Sequence, residues 1–221
     1  MLKFLIILLL GYLLGAIPSG LIIGRLARGV DVREYGSGKI GFANVLRTAG
    51  IKAGIATFFA DVGKGIVAAL LAKIIFSGSI MMIGAFKLDF QGAQVVAAVA
   101  AIVGHNWPVY IKFKGGRGVD AALGGLIAMY PWAGLACLAI GLIIIFTSKY
   151  VSLGSMLGTF SSVVILAPLV ALNLQPVEYL IYGGIATALV VFQHRENIAR
   201  LRSGTERKLG EKAERRNSSG R

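Results

Sequence analysis

The chain has 221 residues, 56% of them hydrophobic, and a mean hydropathy of +0.76, too apolar for an ordinary water-soluble domain. Its 23 Lys and Arg against 10 Asp and Glu leave a net charge of +13. Those cations gather in a few loops and at the C-terminal end, the pattern of a positive-inside membrane protein and not of a nucleic-acid binder.

Apolar windows predict an all-α integral membrane protein of about seven transmembrane helices, near 2–24, 53–76, 91–105, 119–131, 132–147, 151–172 and 177–193. A span needs roughly 20 residues for a ~30 Å hydrocarbon core, so 91–105 and 119–131 are short. The first window begins like a signal peptide, with Lys3 ahead of a Leu/Ile run. It continues past Pro18 to Ile23, longer than a signal core, and is expected to remain as a first span.

Between the first and second spans lie Arg25, Arg28, Arg33, Lys39, Arg47 and Lys52; between the third and fourth lie Lys112, Lys114 and Arg117. Lys149 separates the fifth from the sixth, and 9 further Lys and Arg follow the seventh. The alternate loops hold only Lys73 and Lys87. The N-terminus is therefore expected outside, the C-terminus in the cytoplasm, and all the basic loops on one side.

The first basic loop is GSGKIGFANVLR (36–47). It matches G-x-G-x-x-G, but no strand precedes it and no dinucleotide-binding unit fits between two membrane helices. What survives is the chemistry of an anion site. Gly36 and Gly38 let backbone N–H groups crowd together, Ser37 and Asn44 add donors, and Arg47 offers a bidentate fork for phosphate. A flexible basic loop with glycine turns explains the stretch equally well when it is taken alone.

Inside the second span, Asp61 and Lys64 stand three residues apart and can pair across one turn, either as a structural pair or as part of an ion pathway. After the third span, Lys114-Gly115-Gly116-Arg117-Gly118 combines two cations with glycines that permit close backbone approach. His105 is expected to cap or orient that loop, and Trp107 to sit at the interface. In KYVSLGS (149–155), Ser152 and Ser155 supply small donors.

Beyond the seventh span, HRENIARLRSGTERK places His194, Asn197 and Leu201 on one helix face. Glu196 and Glu206 are expected to pair with neighbouring arginines. Residues 205–221 lack apolar periodicity and read as a solvated, partly disordered basic tail beside a membrane domain of 1–204. One cysteine (Cys137) and two distant histidines exclude a disulfide and fall short of a zinc site, so neither metal nor cofactor is expected.

GYLLGAIPSG (11–20), GSGKIGFANVLR, DVGKG (61–65), the GH-x-x-P…FKGGRGV stretch, KYVSLGS and HRENIARL…G-x-E-x-K together resemble, in order, the bacterial acyl-phosphate:glycerol-3-phosphate acyltransferase family. The resemblance runs over about 1–210. It implies seven helices in the bacterial inner membrane with a site of glycine-rich loops on the cytoplasmic face. It implies acyl phosphate, glycerol 3-phosphate and membrane lipid as partners, with lysophosphatidic acid and phosphate as products of a step in phospholipid synthesis.

In that family the residues corresponding to Ser37 and Arg47 are required. Lys114 through Gly118 would bind glycerol phosphate, and His194 with Asn197 would bind substrate or support catalysis. The family pattern resembles GSGN-x-GATN-x-x-R and GGKGVAT. This chain departs from it at Lys39, Phe42, Ala43, Arg117, Asp120 and Ala121. Those departures leave room for a non-catalytic binder of phosphate-bearing anions. A membrane transporter is the further alternative, although no internal repeat supports it.

Overall fold

The computed structural model describes residues 1–83 and 86–215, with backbone alone at 83, 86 and 87. The last part of the expected tail, 216–221, and the side chain of Lys87 lie outside the described residues. The chain forms α1 (Leu2–Ala16), α2 (Ser19–Arg28), α3 (Phe42–Ala49), α4 (Ile51–Phe76), α5 (Phe90–Asn106), α6 (Val119–Met129), α7 (Pro131–Ser148), α8 (Val151–Ala171), α9 (Val177–Gln193) and α10 (Arg195–Arg202). The purely helical expectation misses a two-stranded antiparallel ribbon, β1 (Met81–Ile83) with β2 (Phe86–Leu88), in the turn after α4.

Among the described residues, five segments are long and apolar enough to cross a membrane: Leu2–Arg28, Ile51–Phe76, Phe90–Ile111, Pro131–Ser148 and Val151–Ala171. The helices α6 and α9 are apolar but shorter. The first window is two helices and not one. Pro18 has no N–H and pushes Ile17 out of helical geometry (ψ 117°), so α1 ends and α2 starts at a bend. At the other short window, Tyr130 takes extended geometry before Pro131, which opens α7 from its favoured first position.

Large side chains such as Leu9, Ile74, Trp132, Ile143, Phe146 and Val164 face outward, while alanines and glycines fill the interior. That inversion suits a bundle whose outer solvent is lipid, where helices gain by close backbone packing. A Cβ on Gly104 of α5 would stand 2.1 Å from the Tyr12 carbonyl oxygen of α1, and one on Gly124 of α6 would stand 2.0 Å from that of Val62 in α4. Only glycine permits these crossings. On the far side, Tyr182 of α9 is fully buried and its hydroxyl donates to the Ala122 carbonyl of α6 at 2.7 Å.

These contacts bring one end of the bundle together: the loop before α3, the loop before α6, the N-terminus of α8, and α10 with the chain beyond it. Residues 205–215 stay on that end. Glu206 is only 8% exposed, and the Leu209 N–H donates to the Lys149 carbonyl at 2.7 Å. Most of this described part of the expected tail is exposed, as a solvated tail would be, but it is tethered to the bundle at Glu206 and Leu209.

Candidate active site

Asn44 organises the first loop from within. It is 3% exposed; its amide donates to the Val32 and Lys39 carbonyls at 2.8 Å each, and its Oδ1 accepts from the Ser37 N–H at 3.1 Å. The Gly36 N–H donates to the Glu214 carbonyl and the Gly38 N–H to that of Tyr35, both at 2.9 Å. Three successive backbone donors are therefore satisfied inside the protein, and the expected nest of N–H groups for an anion is not formed. Gly36 is needed for another reason. Its φ is +53°, and a Cβ there would meet Asn44 Oδ1 at 2.5 Å.

With the loop folded this way, Ser37 and Arg47 face a cavity of about 60 Å³ whose walls also include Lys39, Asn44, His105, Arg117, Gly118, Ser152, Ser155, His194, Asn197, Arg200, Glu206 and Arg207. All three glycine- and base-rich clusters meet there. Of the second cluster only Arg117 and Gly118 reach the walls. Lys114 is exposed and lies outside them, because Gly115 and Gly116 are packed under His105. The Gly116 N–H donates to the His105 carbonyl at 3.0 Å, and a Cβ on Gly116 would overlap the His105 ring. His105 thus shapes the loop, as expected.

The pair inside the bundle supports the same loop. Lys64 Nζ lies 2.8 Å from Asp61 Oδ1 and 2.8 Å from His105 Nδ1, and donates to the Ile17 carbonyl at 3.1 Å. Two helices, the α1–α2 bend and the glycine loop are tied through one buried ammonium. A structural pair is what the geometry describes.

The hub of the third cluster is Glu206. Its Oε1 accepts from Ser152 Oγ at 2.9 Å and from Asn197 Nδ2 at 2.6 Å, and its Oε2 from Arg200 Nε at 2.7 Å. Burial pushes this carboxyl up, but the bonds from Asn197, Arg200 and Ser152 outweigh it and hold the group below its ordinary value. The expected pairing of Glu206 with an arginine is present; its role in orienting Asn197 was missed. A lone carboxylate among Arg200, Arg202, Arg207 and Lys208 was the signal for it.

Three residues of the cavity wall, Asn197, Arg117 and His194, carry its remaining polar chemistry. Asn197 Oδ1 is buried with no hydrogen-bond partner among the described residues, and so is Arg117 Nε. Desolvation lowers the Arg117 guanidinium to about 10, still cationic at neutral pH. His194, 1% exposed, has its Nδ1 at 2.8 Å from the Val190 carbonyl. A carbonyl only accepts, so Nδ1 carries the proton and Nε2 is left as an acceptor. Burial, then the charge of Arg117, depress this imidazole to about 3. Arg47 is also lowered by burial, with Arg207 adding repulsion. Cations outnumber carboxylates around the cavity, which suits a phosphate ester.

A second cavity, about 380 Å³ and almost wholly apolar, adjoins the first. Phe58, Leu138, Leu142, Ile145 and Tyr182 are among its walls, and Phe42, Val119, Asp120, Val151 and Ser155 belong to both cavities. Asp120, in the wall of both cavities, stands near the backbone N–H of Phe42 at the start of α3. An anion pocket opening onto a hydrocarbon-lined pocket is a two-substrate arrangement.

The family described as glycerol-3-phosphate acyltransferase matches residues 5–204. The chain belongs to the glycerol-3-phosphate acyltransferase family. A family member from Dehalococcoides mccartyi is 39% identical over 96% of this chain and 98% of its own, and one from Clostridioides difficile shows the same figures. The crystal structure of the integral membrane glycerol 3-phosphate acyltransferase PlsY in its glycerol 3-phosphate form superposes with a TM-score of 0.81. Identity is 35%, covering 94% of this chain and 96% of that one. Its lysophosphatidic acid form gives 0.79, covering 94% and 95%. With five long apolar segments and this relationship, the acyltransferase-family chain is a multi-pass membrane protein.

Proposed function

We propose that the protein transfers a fatty acyl group from acyl phosphate to the 1-hydroxyl of glycerol 3-phosphate, giving lysophosphatidic acid and inorganic phosphate. One observation carries the reading: the cation-lined cavity and the 380 Å³ apolar cavity share the wall formed by Phe42, Val119, Asp120, Val151 and Ser155. A soluble phosphate ester and a lipid-tailed anhydride can meet at that wall and nowhere else in either cavity.

Arg47, Arg117 and Arg200 hold phosphate groups, and Asn197 Oδ1 accepts from an acceptor hydroxyl. His194 Nε2 orients the 1-hydroxyl. With its imidazole depressed to about 3, His194 is a weak base, so the hydroxyl proton passes to a substrate phosphate. The hydroxyl oxygen bonds to the acyl carbon, the carbon–oxygen bond to phosphate breaks, and Ser37 receives the departing phosphate. Since the donor is already activated, alignment and charge stabilisation supply the rate.

In this reading α6 and α9 are short fourth and seventh crossings, the N-terminus is outside, and the site lies at the cytoplasmic face of the bacterial inner membrane. The loop cations favour that orientation. Purified protein given acyl phosphate and glycerol 3-phosphate should release phosphate and form lysophosphatidic acid. Folded protein that forms neither would overturn the assignment.

A further inference from the structure

Glu206 and Arg207 line the polar cavity, and the chain beyond them is fastened at three separate places. The Leu209 N–H donates to the Lys149 carbonyl, in the turn between α7 and α8, at 2.7 Å. Arg47 Nη2, from α3, donates to the carbonyls of Arg207 at 3.4 Å and Lys208 at 3.2 Å. The Gly36 N–H, beside Ser37, donates to the Glu214 carbonyl at 2.9 Å, next to an isolated bridge between Tyr35 and Arg215. Arg215 also reaches Glu34 at 3.2 Å, an exposed pair that adds little by itself.

We propose that residues 207–215 are a strap that sets affinity for the phosphate-bearing acceptor by holding Arg47 in place. Both carbonyls take hydrogen bonds from the same nitrogen of Arg47, a side chain in the cavity wall, so they restrict how the guanidinium can turn. An arginine on a flexible stem loses rotamer freedom when it grips a phosphate; one already oriented loses less, and the difference appears as binding. Strap contacts are main-chain contacts, so they depend on the path of the chain and little on its side chains. They also lie beyond residues 5–204, the stretch matched by the family. Between Arg207 and Leu209 the strap touches Arg47 but neither the apolar cavity nor His194, so loosening it there acts on acceptor binding.

This inference rests on the acyl-transfer reading, and the experiment separates the two. The full-length variant Leu209→Pro removes the N–H that anchors the strap at Lys149; Leu209→Ala keeps it and removes most of the side chain. Leu209→Pro should raise KM for glycerol 3-phosphate about three- to tenfold, the scale of one lost hydrogen bond, with kcat and KM for acyl phosphate unchanged. Leu209→Ala should behave as the parent. In parallel, glycerol 3-phosphate should slow tryptic cleavage of the parent protein after Arg207, Lys208 and Lys212, a readout that stands if Leu209→Pro does not fold. An unchanged KM in folded Leu209→Pro, an equal fall in kcat, or cleavage indifferent to glycerol 3-phosphate would overturn the strap. A parent protein that turns over no acyl phosphate would overturn the acyl-transfer reading instead.

Discussion

Asn197 Nδ2 donates to Glu206 Oε1 at 2.6 Å, and that bond decides which end of the Asn197 amide faces the cavity. With the nitrogen held by a carboxylate, Oδ1 is the atom left for a ligand. Glu206→Gln replaces one carboxylate oxygen by a donor that must face Asn197, Ser152 or Arg200. The variant should be destabilised by about 1–3 kcal/mol, the range for a lost charged hydrogen bond in a buried site. Thermal melting in detergent checks this, and an unaltered melting temperature would contradict the hub assigned to Glu206.

Arg117 lies with its Nε unpaired in the cavity wall, whereas Lys114 is exposed outside it. Arg117→Ala should lower kcat/KM by roughly 10- to 100-fold, as for one charge-assisted contact, while Lys114→Ala stays within about twofold. Steady-state kinetics on both variants decide which cation of the second cluster serves the reaction.

His194 is depressed to about 3 in the folded protein against ~6.5 when unfolded. Between those values the unfolded chain binds the extra proton, so stability rises with pH across that window and falls on acidification through it. His194→Asn should flatten this part of a stability-versus-pH curve measured by chemical unfolding. The same depression means that an inflection near 6.5 in kcat should not come from His194; one that vanishes only in His194→Asn would show a histidine base.

The apolar cavity borders the cation-lined one at Val151 and Ser155 and extends past Leu138. Leu138→Trp should shift preference toward shorter acyl phosphates and leave KM for glycerol 3-phosphate as it was. Competition between donors of different chain length measures the shift. No change in preference would remove the acyl chain from this cavity.

Gly104 meets the α1 backbone at Tyr12, where a Cβ would lie 2.1 Å from the carbonyl oxygen. Gly104→Val should cost about 1–3 kcal/mol or more by forcing α1 and α5 apart. A melting temperature equal to the parent's would show that the crossing is looser than described.

Much of this protein is written locally. Runs of apolar residues fix which segments are helices, Pro131 marks the start of α7, and cations confined to alternate loops place the three clusters on one side. The i, i+3 spacing of Asp61 and Lys64 suffices for their pairing. These are properties of short stretches, and short stretches carry them in any context. Other features had to wait for distant parts of the chain to meet. Gly36, Gly38 and Asn44 look like an anion nest, yet Glu214, Tyr35, Val32 and Lys39 occupy their hydrogen-bonding groups. Lys114 and Arg117 are equal cations in sequence; packing of Gly116 on His105 turns one to the cavity and leaves the other in solvent. Glu206 and the strap after it resemble a solvated tail until Ser152, Asn197, Arg47 and Lys149 are brought alongside. A hydrogen-bond donor points where its partner is, and here the partners stand up to 181 residues apart (Glu34 to Arg215).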